Sequence, residues 1–469
     1  MITKIKPPKS KFTLIIGLGR SGFWAAKYLS SKGVKVIVYD SKLDNGLVEN
    51  QKKLEKIGVK VFLNKPFEYK ELSNIIDQLE LVIISPGIPL DHPTILTLKE
   101  LGIKVKGEIN IGWENLKDLN WVGITGTNGK TTVTYLLSHI LNKNLILAPK
   151  IGNIGTPSCQ FAHQRKYNEN TKWLIAELSS YQLEVCNQIQ PKIGIWTTFT
   201  PDHLERHKTL ENYFNIKNNL IKSSEIRIYN YDDYNLRLYK NILCEGIWIT
   251  SDNEISNKKD CDYWLDESEF VVERGNRLFK VNEFQLKGRH NIQNLLLAVA
   301  AARAIGITGE NIKNSLASFK YIPHRMETIH KDKSIEIIND SKATNFDSSI
   351  AGINSITGSV IVISGGRLKQ GNSQIWVKTL LKKAHSIFLY GESANQLKQF
   401  LLAGGFEKDI FVYSELAELI EELMNYNNKE KIETILFSPS CSSFDQFKNF
   451  EDRGENFKYL INLSLQRKY

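Results

Sequence analysis

The sequence predicts an α/β protein with three domains, and two observations support this prediction. Apolar runs that end in glycine or polar turns and lead into helical patterns recur at 12–17, 121–124 and 360–366. The length of 469 residues is also enough for about three ordinary domains. Shifts in composition predict a Rossmann-like domain over 1–112, a central P-loop domain with a mainly parallel sheet over 113–322 and a Rossmann-like domain over 323–469.

The first domain opens with a strand and a glycine-rich turn. Residues 12–17 form the predicted strand, the turn at 17–22 reads GLGRSG, and a second strand ends at Asp40. This pattern fits G-x-G-x-x-G followed about 20 residues later by an acidic residue, the dinucleotide fingerprint. Taken alone, it predicts NAD with Asp40 on a ribose. A further strand runs into the turn at 85–89, which we expect at the ligand edge of the sheet.

The central domain opens with the layout of a phosphate-binding loop. A strand leads into a turn that reads GITGTNGKTT at 123–132, and a helical pattern follows. Glycines let backbone N–H groups converge on an oxyanion, while Lys130 and the helix N-terminus add positive charge. Thr131 is placed to offer a hydroxyl to Mg²⁺. The standard spacing would require glycine in place of Ile124, so the loop is a variant of that motif.

Polar residues follow the next strands of this domain. Glu177 ends a strand, in the position where the carboxylate partner of Mg²⁺ usually lies opposite a P-loop. His203 follows the strand at 193–198 and is a candidate metal ligand. Lys217 comes fourteen residues later, on a predicted helix.

Two asparagines begin a long apolar helix further along the chain. Asn291 and Asn294 are three residues apart and therefore share a helix face. Their amides could read an adenine edge, although Asn291 could equally be an ordinary helix cap. In the third domain, the strands end in polar loops, where a doubly wound sheet carries its ligand groups.

The composition excludes several classes of protein. The five cysteines form no C-x-x-C pair, which favours a reduced, cytoplasmic protein with free thiols. No apolar run approaches the ~18 residues of a membrane span, and the N-terminus lacks the apolar region of a secretory signal. The net charge of +10 is spread along the chain. Because no nucleic-acid reader motif accompanies this charge, we expect no nucleic-acid partner.

Three ligand-binding domains in one chain suggest ATP and two further substrates. A hydride-transfer enzyme does not need the P-loop, and a simple ATPase does not need the other two domains. Condensation of a carboxylate with an amine fits the plan, since ATP can activate the carboxylate as an acyl phosphate that the amine then attacks. Catalysis of such a reaction consists mostly of positioning and charge neutralisation, the role expected of Lys130 and Mg²⁺.

The ordered motifs resemble those of the Mur ligase family. The resemblance runs from about residue 12 to residue 457, and within the family it is to the member that adds D-glutamate. The motifs are the P-loop at 126–132, ELSS at 177–180, His203, RHNIQN at 289–294, HRME at 324–327, NDSKATN at 339–345 and SPSCSSFDQF at 438–447. The resemblance implies ATP-dependent joining of D-glutamate to UDP-N-acetylmuramoyl-L-alanine through an acyl phosphate. It also implies a cytoplasmic monomer that works in peptidoglycan precursor synthesis, and hence in cell wall biogenesis, cell shape and cell division.

The resemblance also implies a role for each matching position. The UDP-sugar would be held by Arg20, Ser21, Asp40, Ser41, Gly87 and Asn153. ATP would be held by Gly126, Thr127, Asn128, Gly129, Lys130, Thr131, Thr132, Asn291, Asn294, Arg325 and Asp340. D-Glutamate would be held by Lys342, Thr344, Lys369, Ser443, Phe444 and Phe450. The catalytic residues would be Lys130, Glu177, His203 and Lys217, and Mg²⁺ would be bound through Thr131, Glu177, His203 and Lys217 as a carbamate.

The sequence departs from the family at one substrate residue and leaves alternatives open. Arg367 and Leu368 precede Lys369 where an Asp-Gly pair is commoner, which weakens the assignment of Lys369. Another Mur-type ligase that adds a different amino acid is the main alternative. An NAD-dependent dehydrogenase built on the first glycine turn would leave Lys130 and Glu177 without a role. A non-catalytic nucleotide-binding or nucleic-acid-binding protein is the remaining class.

Overall fold

The computed structural model describes residues 11–252, 259–284, 286, 288–319, 322–368, 373–430 and 432–466. The predicted site residue Lys369 lies outside the described residues. The chain divides into two compact units. The first unit comprises Met1–Phe199, Lys208–Val281 and Gln293–Leu316, and the second comprises Thr200–His207, Asn282–Ile292 and Ala317–Tyr469.

The first sheet is a five-stranded parallel sheet in the order β3-β2-β1-β4-β5. Its strands are β1 (Phe12–Ile16), β2 (Val36–Tyr39), β3 (Lys60–Phe62), β4 (Leu79–Ile84) and β5 (Lys104–Gly107). Its helices are α1 (Arg20–Ser31), α2 (Asn45–Glu55), α3 (Tyr69–Leu72), α4 (Pro93–Glu100) and α5 (Glu108–Leu116). The strand order reverses direction at β1, so the ligand crevice is expected beyond the carboxyl ends of β1 and β4. The predicted Rossmann-like fold is confirmed.

The second sheet of the first unit has nine strands in the order β14-β13-β12-β11-β10-β9-β6-β8-β7. Its strands are β6 (Asn120–Thr125), β7 (Lys150–Gly152), β8 (Trp173–Glu177), β9 (Ile193–Trp196), β10 (Ile226–Asn230), β11 (Ile247–Thr250), β12 (Tyr263–Leu265), β13 (Phe270–Glu273) and β14 (Asn276–Lys280). Only the pairings of β13 with its two neighbours are antiparallel. The prediction of a mainly parallel central sheet is therefore confirmed.

The central helices lie between these strands in the chain, except the last two, which follow β14. They are α6 (Lys130–Lys143), α7 (Ser158–His163), α8 (Ser180–Val185), α9 (Leu204–His207), α10 (Leu210–Lys222), α11 (Tyr234–Leu238), α12 (Arg289–Ile305) and α13 (Gly309–Leu316). Short 3₁₀ helices span Ile76–Gln78, Arg165–Tyr167, Lys240–Ile242 and Val281–Glu283. The segment after residue 226 thus contains α11 as well as short strands.

The second unit contains a six-stranded sheet in the order β15-β16-β20-β17-β18-β19. Its strands are β15 (Glu327–Lys331), β16 (Glu336–Asn339), β17 (Val360–Gly365), β18 (Ala384–Tyr390), β19 (Ile410–Tyr413) and β20 (Thr434–Ser440). Its helices are α14 (Phe346–Ser355), α15 (Gln374–Lys383), α16 (Ala394–Ala403), α17 (Leu416–Glu430) and α18 (Phe450–Gln466). Only β15 is antiparallel to its neighbour, as the predicted doubly wound sheet allows.

Burial on both faces explains why these strands read as continuous apolar runs. In β17, Val360 and Val362 pack into one core cluster, while Ile361 and Ile363 pack into another on the opposite face. No helix among the described residues combines the length and the hydropathy needed to cross a membrane.

Candidate active site

The phosphate loop requires glycine at two positions, and Ile124 is not one of them. Gly126 has φ +143°, and a Cβ there would lie 2.0 Å from Thr197 Oγ1. Gly129 has φ +86°, and a Cβ there would lie 2.5 Å from the side-chain oxygen of Asn294. Ile124 lies inside β6, fully buried and paired with β8 and β9. Ile124 is therefore still part of the strand, which explains why the loop has no glycine at the position where the standard P-loop spacing requires one.

Lys130 begins helix α6 and folds back over the loop. Its Nζ donates hydrogen bonds to the carbonyl oxygens of Gly126 at 2.7 Å and Thr127 at 2.8 Å. The helix has Gly129 as its N-cap, with no acidic residue in its first turn. A fourteen-residue helix with this N-terminus favours an anion at the loop, as the sequence predicts.

Glu177 and Thr131 meet at the start of the same helix. Because β6 and β8 are neighbours, Glu177 lies beside the loop, where Thr131 Oγ1 donates to its Oε2 at 2.8 Å. The side chain of Asn153 donates to Glu177 Oε1 at 2.7 Å. Glu177 is only 1% exposed. Asn153, which we expected on the UDP-sugar, therefore also fixes the orientation of this carboxylate.

The residues around Glu177 fit a magnesium ion. The carboxylate of Glu177 and the hydroxyl of Thr131 are the oxygen donors that Mg²⁺ prefers. Among the described residues, no group of three His, Cys, Asp or Glu side chains is placed to hold a metal ion. This is compatible with Mg²⁺, which commonly keeps waters and substrate phosphates as its other ligands.

Lys217 lies directly beneath the loop, on α10. It is 1% exposed, and its Nζ donates to the carbonyl oxygen of Gly126 at 3.0 Å and to Thr125 Oγ1 at 3.4 Å. The same Nζ is 4.6 Å from the centre of the Tyr213 ring. The hydroxyl of Tyr213 is 3.2 Å from Thr127 Oγ1. We did not predict a role for Tyr213 from the sequence, although its i, i+4 spacing from Lys217 places both residues on one helix face.

An open pocket of about 810 Å³ lies beyond the ends of β1 and β4. Asp40, Ser41 and Gly87, which we expected to hold the UDP-sugar, line this pocket. Phe67 and His92 also line it, with their rings stacked 5.1 Å apart. These two aromatic residues lie in loops with no motif, so the sequence alone did not indicate them.

Asp40 has a structural task in this pocket as well as an expected binding task. Its Oδ2 accepts from the backbone N–H of Leu18 at 2.7 Å, and its Oδ1 accepts from that of Lys42 at 2.9 Å. The carboxylate thus joins the turn after β1 to the turn after β2. Each oxygen keeps further acceptor capacity for a ligand.

The other two predicted UDP-sugar residues in this domain lie apart from the large pocket. Arg20 Nη2 donates to the carbonyl oxygen of Gly155 at 2.5 Å, which ties α1 to the loop after β7. Ser21 lines a separate cavity of about 10 Å³ together with Glu108. Burial raises the pKa of Glu108, whose Oε1 accepts from Ser158 Oγ at 2.8 Å.

The two adenine candidates share helix α12, and both are 4% exposed. Asn294 belongs to the first unit and lies against Gly129, whereas Asn291 belongs to the second unit. Between them, the Gln293 amide donates to Asp232 Oδ2 at 2.9 Å. The backbone N–H of Asn291 donates to the carbonyl oxygen of Gly288 at 2.9 Å.

His203 belongs to the second unit and adopts a left-handed backbone with φ +58°. Such strain in a residue other than glycine is typical of functional sites. Its Nε2 is 3.5 Å from Asp202 Oδ2, and the Asn345 amide donates to that same oxygen at 3.3 Å. Asp202 is a further polar residue beside His203 that the sequence analysis passed over.

Asp340 lies at the end of β16 and is 3% exposed. It accepts from the backbone N–H of Met326 and from Ser438 Oγ. Burial raises its pKa to about 7, and the charges of Arg325 and Arg453 oppose that rise. Its neighbourhood therefore contains positive charge that could meet a phosphate or a carboxylate.

The predicted amino-acid residues lie at the ends of β16 and β20. Lys342 Nζ is 3.7 Å from the centre of the Phe450 ring, and the Thr344 N–H donates to the Lys342 carbonyl oxygen. Ser443 is 2% exposed, whereas Phe444 is 64% exposed. Phe450 and Lys342 are thus brought together by the fold, and Phe444 lies outward.

The fold and the loop define a nucleotide-binding enzyme whose chain carries a P-loop domain after one α/β domain and before another in sequence. Three domain families match in order: "Mur ligase MurD-like, N-terminal domain" at 11–107, "Mur ligase middle domain" at 124–302 and "Mur ligase, glutamate ligase domain" at 324–441. The chain belongs to the Mur ligase family and is a ligase.

Curated relatives and solved structures agree with this membership. A UDP-N-acetylmuramoylalanine–D-glutamate ligase of Prochlorococcus marinus (strain MIT 9312) is 57% identical over 98% of both chains. The ligase of the same name from strain MIT 9515 is 58% identical over 97% of this chain and 95% of its own. The UDP-N-acetylmuramate-alanine ligase MurC of Thermotoga maritima has a TM-score of 0.63 at 18% identity, covering 97% of this chain and 99% of its own. At that identity, the last comparison shows the fold alone.

Proposed function

We propose that this chain joins D-glutamate to UDP-N-acetylmuramoyl-L-alanine, with cleavage of ATP to ADP and phosphate. The observation that carries the proposal is the 57% identity, over 98% of both chains, to a ligase named for these substrates. The reaction would belong to cytoplasmic peptidoglycan precursor synthesis. We further propose that the three functional domains are 1–112, 113–322 and 323–469 and that the enzyme works as a monomer.

The phosphate loop would carry out the activation step. The substrate carboxylate attacks the γ-phosphorus of ATP, the bond to the β-phosphate oxygen breaks, and ADP leaves. Lys130 and the N-terminus of α6 neutralise the charge that develops on the phosphate oxygens. Lys130 would exchange its bonds to the Gly126 and Thr127 carbonyl oxygens for bonds to phosphate.

The second step would form the amide bond. The amine of D-glutamate attacks the acyl phosphate, phosphate leaves with the electrons of the broken C–O bond, and the nitrogen loses a proton. Lys342 would pair with a carboxylate of D-glutamate, since a charge-assisted hydrogen bond suits that contact. The contact of the Lys342 ammonium with the face of the Phe450 ring would help to hold the lysine side chain in place. Thr344, Ser443 and Lys369 are proposed partners of the same substrate.

Mg²⁺ would supply additional positive charge at the phosphates, held by Thr131 and Glu177, with His203 at a second ion. We propose that Lys217 is carbamylated in the active enzyme. A carbamate converts the amine into an anion with oxygen donors, which suits Mg²⁺. The position of Lys217 supports this, because its Nζ is 3.0 Å from the carbonyl oxygen of Gly126 in the phosphate loop, where a carbamate would lie beside the bound ions.

The test of the proposal is phosphate release with UDP-N-acetylmuramoyl-L-alanine, ATP and a panel of amino acids. We expect D-glutamate to stimulate release strongly and L-glutamate, L-lysine and meso-diaminopimelate to leave it near background. A reaction without UDP-N-acetylmuramoyl-L-alanine controls for simple ATP hydrolysis. Equal stimulation by D-glutamate and L-lysine would contradict the assigned acceptor and favour another Mur-type ligase.

A further inference from the structure

Arg453 is a fully buried arginine in the second unit. It lies in the first turn of α18 and is 0% exposed. Its Nη2 donates to the carbonyl oxygen of Ser341 at 2.7 Å, and its Nε donates to Ser341 Oγ at 3.0 Å. Its Nη1 donates to the carbonyl oxygen of Cys441 at 3.0 Å. One side chain thus joins the loop after β16 to the loop after β20.

A third loop also packs against this guanidinium. A Cβ at Gly366 would lie 3.2 Å from Arg453 Nη1, so the turn after β17 approaches it closely. Strands β16, β20 and β17 are consecutive in the sheet. The guanidinium therefore lies where the carboxyl ends of three neighbouring strands meet, the edge at which such sheets bind ligands.

The residues that Arg453 holds are direct neighbours of proposed substrate residues. Ser341 precedes Lys342, and Cys441 is two residues before Ser443. Lys342 and Ser443 come from different strands, so their separation depends on whatever fixes the two loops together. The planar guanidinium makes three bonds to them in one fixed geometry, which a flexible lysine could not reproduce.

The charge of Arg453 is not balanced by an ion pair. Its hydrogen bonds to Ser341 and Cys441 all end on neutral oxygens. Its charge is felt by the buried carboxyl of Asp340, but no carboxylate among the described residues forms a salt bridge with it. A buried charge is costly when only neutral groups compensate it. The same charge would favour an anion that binds at these strand ends, and an acidic amino acid is such an anion.

We propose that Arg453 is a positioning residue for the acidic amino acid. It fixes the loops that carry Lys342 and Ser443 relative to one another and adds a buried positive charge behind them. The identity of the amino acid rests on the proposed function, whereas its acidic character is also supported by the unpaired charge of Arg453.

The test compares the Michaelis constants of Arg453→Lys and Arg453→Met with that of the wild type for each substrate. We expect the KM for D-glutamate to rise about 10-fold or more in both variants, because hydrogen bonds from a charged donor are lost. The KM values for ATP and UDP-N-acetylmuramoyl-L-alanine should stay within about 2-fold. Arg274→Met, at an exposed arginine paired with Asp262, is the matched control and should change none of them.

Ser341→Ala keeps the test decisive if Arg453 variants fail to fold. This variant removes the hydroxyl that accepts from Arg453 Nε and donates to the Phe450 carbonyl oxygen, and we expect a rise of about 2- to 5-fold in the KM for D-glutamate alone. Amide hydrogen exchange adds a readout that needs no turnover. Loops 340–345 and 441–449 should exchange faster in the variants, while helix α6 should be unchanged.

The outcomes separate this inference from the proposed function. Folded variants with an unchanged KM for D-glutamate, or with all three KM values raised together, would overturn the role of Arg453. If the wild type uses another amino acid, the proposed function fails and the same comparison is made with that acceptor. A neutral or cationic acceptor would then overturn the inference too, and an acidic one with a raised KM in the variants would support it.

Discussion

Single residues around the phosphate loop combine structural and chemical tasks. Asn153 holds one oxygen of Glu177 while Thr131 holds the other. Glu177 and Thr131 could be predicted because each lies in a short motif at a strand or helix end. Tyr213 was missed although it shares a helix face with Lys217, and Arg453 was missed because its contacts join segments that are far apart in the chain.

At Lys217, we expect Lys217→Ala to lower the rate of D-glutamate-dependent phosphate release by about 100-fold, as removal of a charge-stabilising group commonly does. If the lysine acts as a carbamate, added acetate or formate should restore part of the rate, because a small carboxylate can replace the lost anion. Lys222→Ala, at the end of the same helix, is the control. Rescue by methylamine instead would mean that the cationic amine is the active form.

At Asp340, we expect a pH-dependent effect on stability. Burial raises its pKa from 3.8 to about 7. At a pH between these two values, Asp340 is therefore protonated in the folded protein but ionised in the unfolded chain. The contribution of this group to stability therefore falls as pH rises from about 4 to about 7. Asp340→Asn has no proton to lose, so its melting temperature should improve relative to wild type between pH 5 and pH 8. A difference that is constant across this range would contradict the raised pKa.

At the scale of elements, strand ends decide where the chemistry lies. The sequence predicted the β6–loop–α6 unit because its strand, glycines and helix are consecutive in the chain. It predicted the loops after β16 and β20 for the same reason. It did not predict the stacked rings of Phe67 and His92, which come together only when loops after different strands fold onto one pocket.

The loop itself is tested by Gly129→Ala. The substitution combines a left-handed backbone with a Cβ only 2.5 Å from Asn294 Oδ1, so we expect a loss of about 1–3 kcal/mol in stability and a clear rise in the KM for ATP. Gly58→Ala is the matched control, since Gly58 has φ +83° with nothing within 4 Å of a Cβ. It should show the backbone cost alone, with an unchanged KM for ATP. Equal effects of both variants would mean that the contact with Asn294 is unimportant.

At the scale of the whole molecule, three sheets are divided between two compact units. The number of sheets and their mainly parallel character followed from repeated apolar runs with glycine turns. The boundaries of the compact units did not, because the short segments Thr200–His207 and Asn282–Ile292 belong to the second unit although they interrupt the first in sequence. Local patterns do not contain this information, since it depends on which distant segments pack together.

The central claim is that the chain adds D-glutamate to UDP-N-acetylmuramoyl-L-alanine. The most direct measurement is mass spectrometry of the product formed with ATP, UDP-N-acetylmuramoyl-L-alanine and equal concentrations of isotopically labelled D-glutamate and unlabelled L-glutamate. We predict one product, with the mass of the labelled D-glutamyl adduct, formed in equal amount to the ADP released. A product that contains unlabelled glutamate, or ADP release without any adduct, would contradict the claim.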